Sequence, residues 1–219
     1  MKRILFVFVL FVVALAVNAQ EVEKSFADFK NEGNAAIRSK DYPKALDAYE
    51  KAMAKWGDQP IADSAMIINM GYCALKAKDY EKSLKYFDQA ISMNYKKSTA
   101  YMFKADVYTA MKDMEGNLKS LESAYEVDPN NATLKARLAN YYAREASAVY
   151  SKGGKLITKA NADVTAGKLK ASDDAYKTAI QDAKAEFEKS MPLIEKALSY
   201  DANNGPAKQL KAACEQALK

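Results

Sequence analysis

The sequence predicts an all-α fold, a solenoid of antiparallel helix pairs, on three observations. Turn formers are scarce, with 5 Pro and 8 Gly among 219 residues, while Ala, Lys, Leu and Tyr are plentiful. That balance favours helix over strand and turn. A short motif recurs at Lys40-Asp41-Tyr42, Lys78-Asp79-Tyr80 and Lys112-Asp113-Met114, at separations of 38 and 34 residues. Each Asp has a small residue eight positions before it (Gly33, Gly71, Ala105) and an alanine eleven positions after it (Ala52, Ala90, Ala124). Self-similarity at such a period marks an array of two-helix units, none of which buries its apolar faces alone.

The first segment is read apart from the fold. Lys2 and Arg3 precede an apolar run of 14 residues from Ile4 to Val17, and Val17-Asn18-Ala19 offers small residues for cleavage before Gln20. Residues 1–19 are therefore expected to be a secretory signal peptide, since the run is short for a membrane span. An uncleaved anchor is the alternative. The mature protein is then expected to be exported, with the periplasm as first choice and secretion or envelope association as the others. Without Lys2 and Arg3 the formal net charge falls from +5 to +3, which argues for no polyanionic partner such as nucleic acid. No further stretch is long and apolar enough to predict an integral membrane segment.

In the first unit Phe26, Phe29, Gly33 and Ile37 fall three to four apart and share one helix face. Asp41 is placed to cap a second helix, with Pro43 tolerated in its first turn. Ala45, Tyr49, Ala52 and Trp56 then share a face, and Gly57, Asp58 and Pro60 are expected to end the helix. Small residues let the two axes approach while aromatics fill the space beside them.

In these residues the unit resembles a tetratricopeptide repeat, whose pattern runs from a large residue to Gly, then to an aromatic-and-Ala second helix and Asp-Pro-Asn-Asn. Repeat one spans about 26–59, with Phe29, Gly33, Ala45, Tyr49 and Ala52 matching. Repeat two spans about 64–97, with Gly71, Ser83, Phe87 and Ala90. Repeat three spans about 98–131, with Tyr101, Ala105, Tyr108, Leu121, Ala124 and Asp128-Pro129-Asn130-Asn131. Asn117 stands where the pattern has a small residue and is expected to loosen packing there. The resemblance implies a right-handed solenoid over 20–204.

The fourth repeat, 132–204, is interrupted. Leu138, Ala139 and Tyr142 resemble a first helix, but the matching end, Ala197-Leu198-Ser199-Tyr200-Asp201-Ala202-Asn203-Asn204, comes about 39 residues late. The insert still reads as helical, with Tyr150, Leu156 and Ile157, then Tyr176, Ile180, Phe187 and Ile194. An elongated final hairpin is expected, turning between Asn161 and Ser172, with Ser172 as the second cap. Gly153-Gly154 is expected to kink or break the first arm and Pro192 to bend the second. Gly205-Pro206 opens a capping helix over 205–219. Exported proteins of Bacteroidetes-type bacteria have similar extended terminal repeats.

The chain has no histidine, which removes the commonest general base and zinc ligand. Cys73, between Gly71 and Ala74, and Cys214 are expected to be buried free thiols. Asp173-Asp174 suit a helix N-terminus better than paired catalytic acids, and Gly153-Gly154 lacks the sequel of a phosphate loop. Lys152, Lys155, Lys159, Lys168 and Lys170 give the hairpin tip a solvated basic face. No cofactor or metal is expected and the protein is read as not an enzyme.

The tetratricopeptide resemblance implies a concave groove lined by first helices. Lys30, Asn34 and Asn69 match three places with which some co-chaperones grip a peptide's terminal carboxylate. The two remaining basic places are Thr99 and Phe103 here, so that clamp is incomplete. The groove residues available to a partner are Lys30, Asn34, Arg38, Asn69, Tyr72, Phe103, Asp106 and Arg137. A scaffold or adaptor holding a protein or peptide partner is the first reading. A structural subunit of an envelope assembly is the second, and a small-molecule carrier or enzyme a distant third. Placing Ala90 against a helix partner predicts that Ala90→Asp buries an unpaired charge and destabilises the protein by on the order of 3–5 kcal/mol. A melting temperature equal to that of the parent protein sinks this placement.

Overall fold

The computed structural model describes residues 23–57 and 63–219. The expected leader at 1–19, and Asp58 and Pro60, lie outside the described residues. Within them the chain forms α1 (Phe26–Arg38), α2 (Tyr42–Ala54), α3 (Ser64–Lys76), α4 (Tyr80–Ser92), α5 (Lys97–Met111), α6 (Met114–Val127), α7 (Ala132–Thr165), α8 (Asp174–Tyr200) and α9 (Gly205–Ala217). Consecutive helices pair antiparallel, each pair packs on the next, and α9 closes against α7 and α8.

The recurring Lys-Asp motif is the turn inside each pair. Lys40, Lys78 and Lys112 all take positive φ, at 60°, 64° and 61°. A side chain in that conformation costs about 1 kcal/mol, and two bonds per turn offset it. In the first turn Lys40 N–H donates to Ile37 O at 2.9 Å and Asp41 N–H to Ala36 O at 2.9 Å. The other two turns repeat this, with Asp79 N–H on Ala74 O and Asp113 N–H on Tyr108 O, both at 2.9 Å. These bonds satisfy the last carbonyls of the finished helix. The Asp carboxylate caps the next helix by accepting from the backbone N–H of Lys44 (3.2 Å), Lys82 (3.2 Å) or Gly116 (2.9 Å). Asparagine does the same work between units: Asn131 Oδ1 accepts from Leu134 N–H at 3.1 Å and Asn204 Oδ1 from Ala207 N–H at 3.0 Å.

Packing within pairs rests on small residues facing rings. A Cβ added to Gly33 would stand 2.5 Å from Tyr49 Cε1, and one on Gly71 2.6 Å from Phe87 Cε1. Both rings are fully buried. One core cluster runs from Ala36 through Phe87 to Ala100 and Val107, and a second from Ala105 through Leu138 to Cys214. α5 therefore serves both, with Ala100, Phe103 and Val107 turned to α4 and Ala105 to α6.

Several expectations are corrected. Asn117 does not loosen its pair: it is buried, and its Nδ2 donates to Ala105 O and to Thr109 Oγ1, each at 2.8 Å. Ser83 does the same in the preceding unit, its Oγ donating to Gly71 O at 2.8 Å. α2 ends at Ala54, so Trp56 lies beyond the helix, although its ring still meets Phe26 at 6.0 Å. Gly153-Gly154 does not break α7, which runs unbroken from Ala132 to Thr165. Gly153 admits Phe187 of α8, for a Cβ there would lie 2.6 Å from Phe187 Cε1 and 2.8 Å from Ala183 O.

The hairpin turn is later and shorter than expected. Gly167, at φ 71°, closes α7 with its N–H on Val164 O at 3.0 Å. Asp173 rather than Ser172 is the N-cap of α8, and its carboxylate accepts from Lys170 N–H at 2.8 Å. Pro192 lies inside α8, which continues past it to Tyr200.

The neighbouring glycines of α7 give opposite expectations. Gly154 has open space where a Cβ would go, so Gly154→Ala stabilises by about 0.5–1 kcal/mol through helix propensity. Gly153→Ala presses on a backbone carbonyl and a buried ring and costs about 1–3 kcal/mol. Urea denaturation of the two variants checks the pair; equal effects would refute the close packing of α7 on α8.

Candidate partner-binding groove

The side chains expected to meet a partner all project from the first helix of a pair. Lys30, Asn34 and Arg38 lie on α1, Asn69 and Tyr72 on α3, Phe103 and Asp106 on α5, and Arg137 on α7. The structure divides all of them but Arg38 into two groups.

The first group is engaged within the protein. Lys30 pairs with the carboxylate of Asp63, the N-cap of α3. Burial raises the Asp63 carboxyl, but Lys30 and the backbone N–H groups of Met66 and Ala65 outweigh it and hold the group below its usual value. The Tyr49 hydroxyl donates to Asn34 Oδ1 at 2.7 Å. Burial pushes that phenol up to about 12, and a hydrogen bond from the Asn69 side chain opposes the rise. Asn34 and Asn69 thus satisfy a hydroxyl whose ring fills the space over Gly33. Arg38 is exposed at the end of α1. Thr99, at one of the two remaining clamp places, is exposed, and Lys104, next to Phe103 in sequence, pairs with Asp88 of α4 at 2.5 Å.

The second group lines two neighbouring clefts. Tyr42, Tyr72 and Phe103 form a row of half-buried rings with successive centroids 5.8 Å apart, and Phe103 stacks at 5.4 Å on Phe87 in the core. Burial, then the neighbouring Tyr42 hydroxyl, raises the Tyr72 phenol. Beside the row lies a cleft of about 420 Å³ lined by Tyr72, Lys76, Phe103, Asp106, Thr109 and Ala110 among others. A second cleft of about 300 Å³ lies between α5, α6 and α7, lined by Thr109, Met114, Asn117, Arg137, Tyr141 and Arg144 among others. Thr109 belongs to both. Arg137 joins them as well, donating to Asp106 Oδ1 at 2.6 Å and to Met102 O at 3.4 Å.

Lys76, Thr109, Tyr141 and Arg144 were not singled out from the sequence. Helical spacing carries the signal for three of them: Lys76 is four residues on from Tyr72, and Tyr141 and Arg144 are four and seven on from Arg137. Lys76 Nζ stands 5.2 Å from the Tyr72 ring centre and the Arg144 guanidinium 5.6 Å from that of Tyr141.

Both cysteines are buried and unbridged, as expected, one in each core cluster. Burial pushes the Cys73 thiol up to about 12, so it stays protonated and a poor nucleophile near neutral pH. Cys214 Sγ lies 3.0 Å from Ser190 Oγ. Among the described residues no group of His, Cys, Asp and Glu is placed to hold a metal ion, and no helix is long and apolar enough to cross a membrane.

The Lys30–Asp63 pair has a pH signature. A carboxyl held below its unfolded value stabilises the fold above that value and loses the contribution as the pH falls through its folded value. Lys30→Ala is expected to cost less than about 1 kcal/mol at pH 7, because the pair is partly exposed. The difference from the parent protein should close as the pH falls below the ordinary carboxylate value of 3.8. Chemical denaturation at a series of pH values reads this, and a pH-independent difference would show that the carboxylate plays no part.

Residues 68–132 match the tetratricopeptide repeat family model. No curated protein matches the chain. Among solved structures, a TPR repeats protein from Bacteroides fragilis NCTC 9343 superimposes with a TM-score of 0.55 and 24% identity, over 88% of this chain and 98% of that one. A tetratricopeptide repeat protein from Parabacteroides merdae ATCC 43184 gives a TM-score of 0.50 and 13% identity, over 88% of this chain and 73% of that one. These are likenesses of fold. The segment from α3 into the start of α7 therefore carries the sequence of the tetratricopeptide repeat family, and the described chain as a whole is an α-solenoid of that type.

Proposed function

We propose that this protein is a non-enzymatic scaffold that holds a peptide or protein partner along the groove of its first helices. The observation that carries the reading is the half-buried row of Tyr42, Tyr72 and Phe103, which opens into a cleft and ends at the Asp106–Arg137 pair. Rigid rings backed by a packed core offer contact area at little entropic cost, and Tyr and Arg are frequent anchors of interfaces. The cleft is open along its length, which suits an extended chain better than an enclosed small molecule. The absence of histidine and the protonated Cys73 thiol leave little nucleophilic or acid–base chemistry to set against this reading.

The site of action belongs to the same proposal. The basic start, apolar run and small-residue end of residues 1–19 support export, with the periplasm as the compartment.

A peptide-display library selected on the mature protein tests the groove. Bound sequences are expected to lose at least about tenfold in affinity with Ala110→Trp, which fills the cleft from an exposed position, and with Tyr72→Ala, while melting curves show both variants folded. Selected peptides indifferent to both changes would move the working surface elsewhere. Mass spectrometry of the protein from its own cells reads the export proposal: a first residue of Gln20 is expected, and retention of Met1 would overturn cleavage.

A further inference from the structure

We propose that the segment held in this groove is an internal acidic stretch of a protein, extended across α3, α5 and α7, carrying an aromatic or aliphatic side chain between its carboxylates. The inference rests on the groove being the working surface and adds the chemistry of its occupant.

Charge in the two joined clefts is one-sided. Lys76, Lys78, Arg137 and Arg144 line them, and among the described residues Asp106 is the one lining carboxylate. Asp106 is already taken by Arg137 at 2.6 Å. Lys76 and Arg144 are exposed and form no ion pair with any described carboxylate; each lies over a tyrosine ring instead. A cation held over a ring face keeps its charge available and has part of its orientation fixed beforehand. Between these two cations the cleft floor is apolar, formed by Tyr72 and Phe103. The pattern from α3 to α7 is therefore cation, apolar floor, bridged pair, cation. Its complement is a segment with a carboxylate toward each end and an apolar side chain between them.

The same geometry argues against recognition of a chain terminus. Lys30 is paired with Asp63, and Asn34 and Asn69 are spent on the Tyr49 hydroxyl. A terminal carboxylate meeting those three residues would have to displace bonds that hold the α1–α2–α3 packing. Lys76 and Arg144 carry no such obligation, and each lines one of the two clefts that meet at Thr109.

Fluorescence anisotropy on the full folded chain tests this with three labelled peptides, N-acetylated and C-amidated, in which tyrosine and leucine alternate with glutamate, glutamine or lysine. The glutamate peptide is expected to bind at least about tenfold more tightly than the other two and to weaken steadily from about 50 to about 500 mM salt. Lys76→Glu combined with Arg144→Glu should lower its affinity at least about tenfold at an unchanged melting temperature. Lys76→Gln with Arg144→Gln is a milder second variant should the charge reversal disturb the fold. Glutamate binding untouched by these changes overturns the inference, as does a form with a free C-terminal carboxylate that binds more than about tenfold better than the amide. If the glutamine peptide binds as tightly as the glutamate one and Ala110→Trp blocks it, the acidic inference falls while the groove reading stands. If no peptide binds and no library peptide responds to Ala110→Trp, both fall.

Discussion

The close approach of a glycine on one helix to a ring on its partner is the constraint on which the rest of this structure depends. At Gly33 and Gly71 a Cβ would enter the ring of Tyr49 or Phe87 at about 2.5 Å, well inside van der Waals contact. The distance between paired helices is thus set by the absence of one side chain and the presence of another. Once it is set, the turn between them must be short, and the Lys-Asp motif supplies one that satisfies both the finished helix and the starting one. The spacing also brings carbonyls of the first helix within reach of polar groups on the second, which Ser83 and Asn117 use. In the third pair Ala105 replaces the glycine, and Gly116 on the second helix makes room for Tyr108 instead. The small-and-large relation is kept although the partners have exchanged roles.

This constraint reaches into the groove. Tyr49 fills the space over Gly33, and its hydroxyl needs a partner, because an unpaired buried polar group would cost about 1–3 kcal/mol. Asn34 and Asn69 supply the partners from the groove side. Those two asparagines are therefore tied to the stability of the first units, and Lys30 is tied to the start of α3 through Asp63. Phe87 has no hydroxyl, and the wall above it is built from Phe103 stacked on its face, with Tyr72 beside. The tyrosine at the first pair and the phenylalanine at the second thus separate a stretch of groove occupied by internal bonds from a stretch open to a partner.

Much of the fold was legible because repetition multiplies weak signals. Lys40, Lys78 and Lys112 share one backbone conformation, and the matching Asp residues share one cap. Less legible were the places where one residue type admits two physical roles. Gly153 reads as a helix breaker in sequence because its packing partner, Phe187, lies 34 residues away, beyond the reach of local pattern. Asn117 reads as a defect because its amide is polar, yet two acceptors meet it. Ser172 and Asp173 are both good caps, and only the path of the turn decides between them. Of the candidate groove, the tetratricopeptide resemblance supplied the first helices and, among the residues lining the two clefts, Tyr72, Phe103, Asp106 and Arg137. It did not reveal that Lys30, Asn34 and Asn69 were already engaged, because Asp63 and Tyr49 belong to neighbouring elements.

The final hairpin extends the same packing rule over a longer distance. Near its base, Tyr142 and Tyr200 stack at 5.9 Å, Tyr125 meets Tyr200 edge-on at 5.2 Å, and Lys196 lies 4.3 Å from the Tyr142 ring centre. The Tyr142 hydroxyl donates to Glu122 Oε1 at 2.8 Å, and burial, then that glutamate, raises its pKa. Farther out, Gly153 and Phe187 re-create the glycine-and-ring contact, with Tyr150 at 4.6 Å from Phe187. The inserted residues are thus pinned at a second point by the device that pins each ordinary pair, and the two arms continue the solenoid's own packing. Arg137 and Arg144 stand on the same unbroken helix, α7, as Gly153.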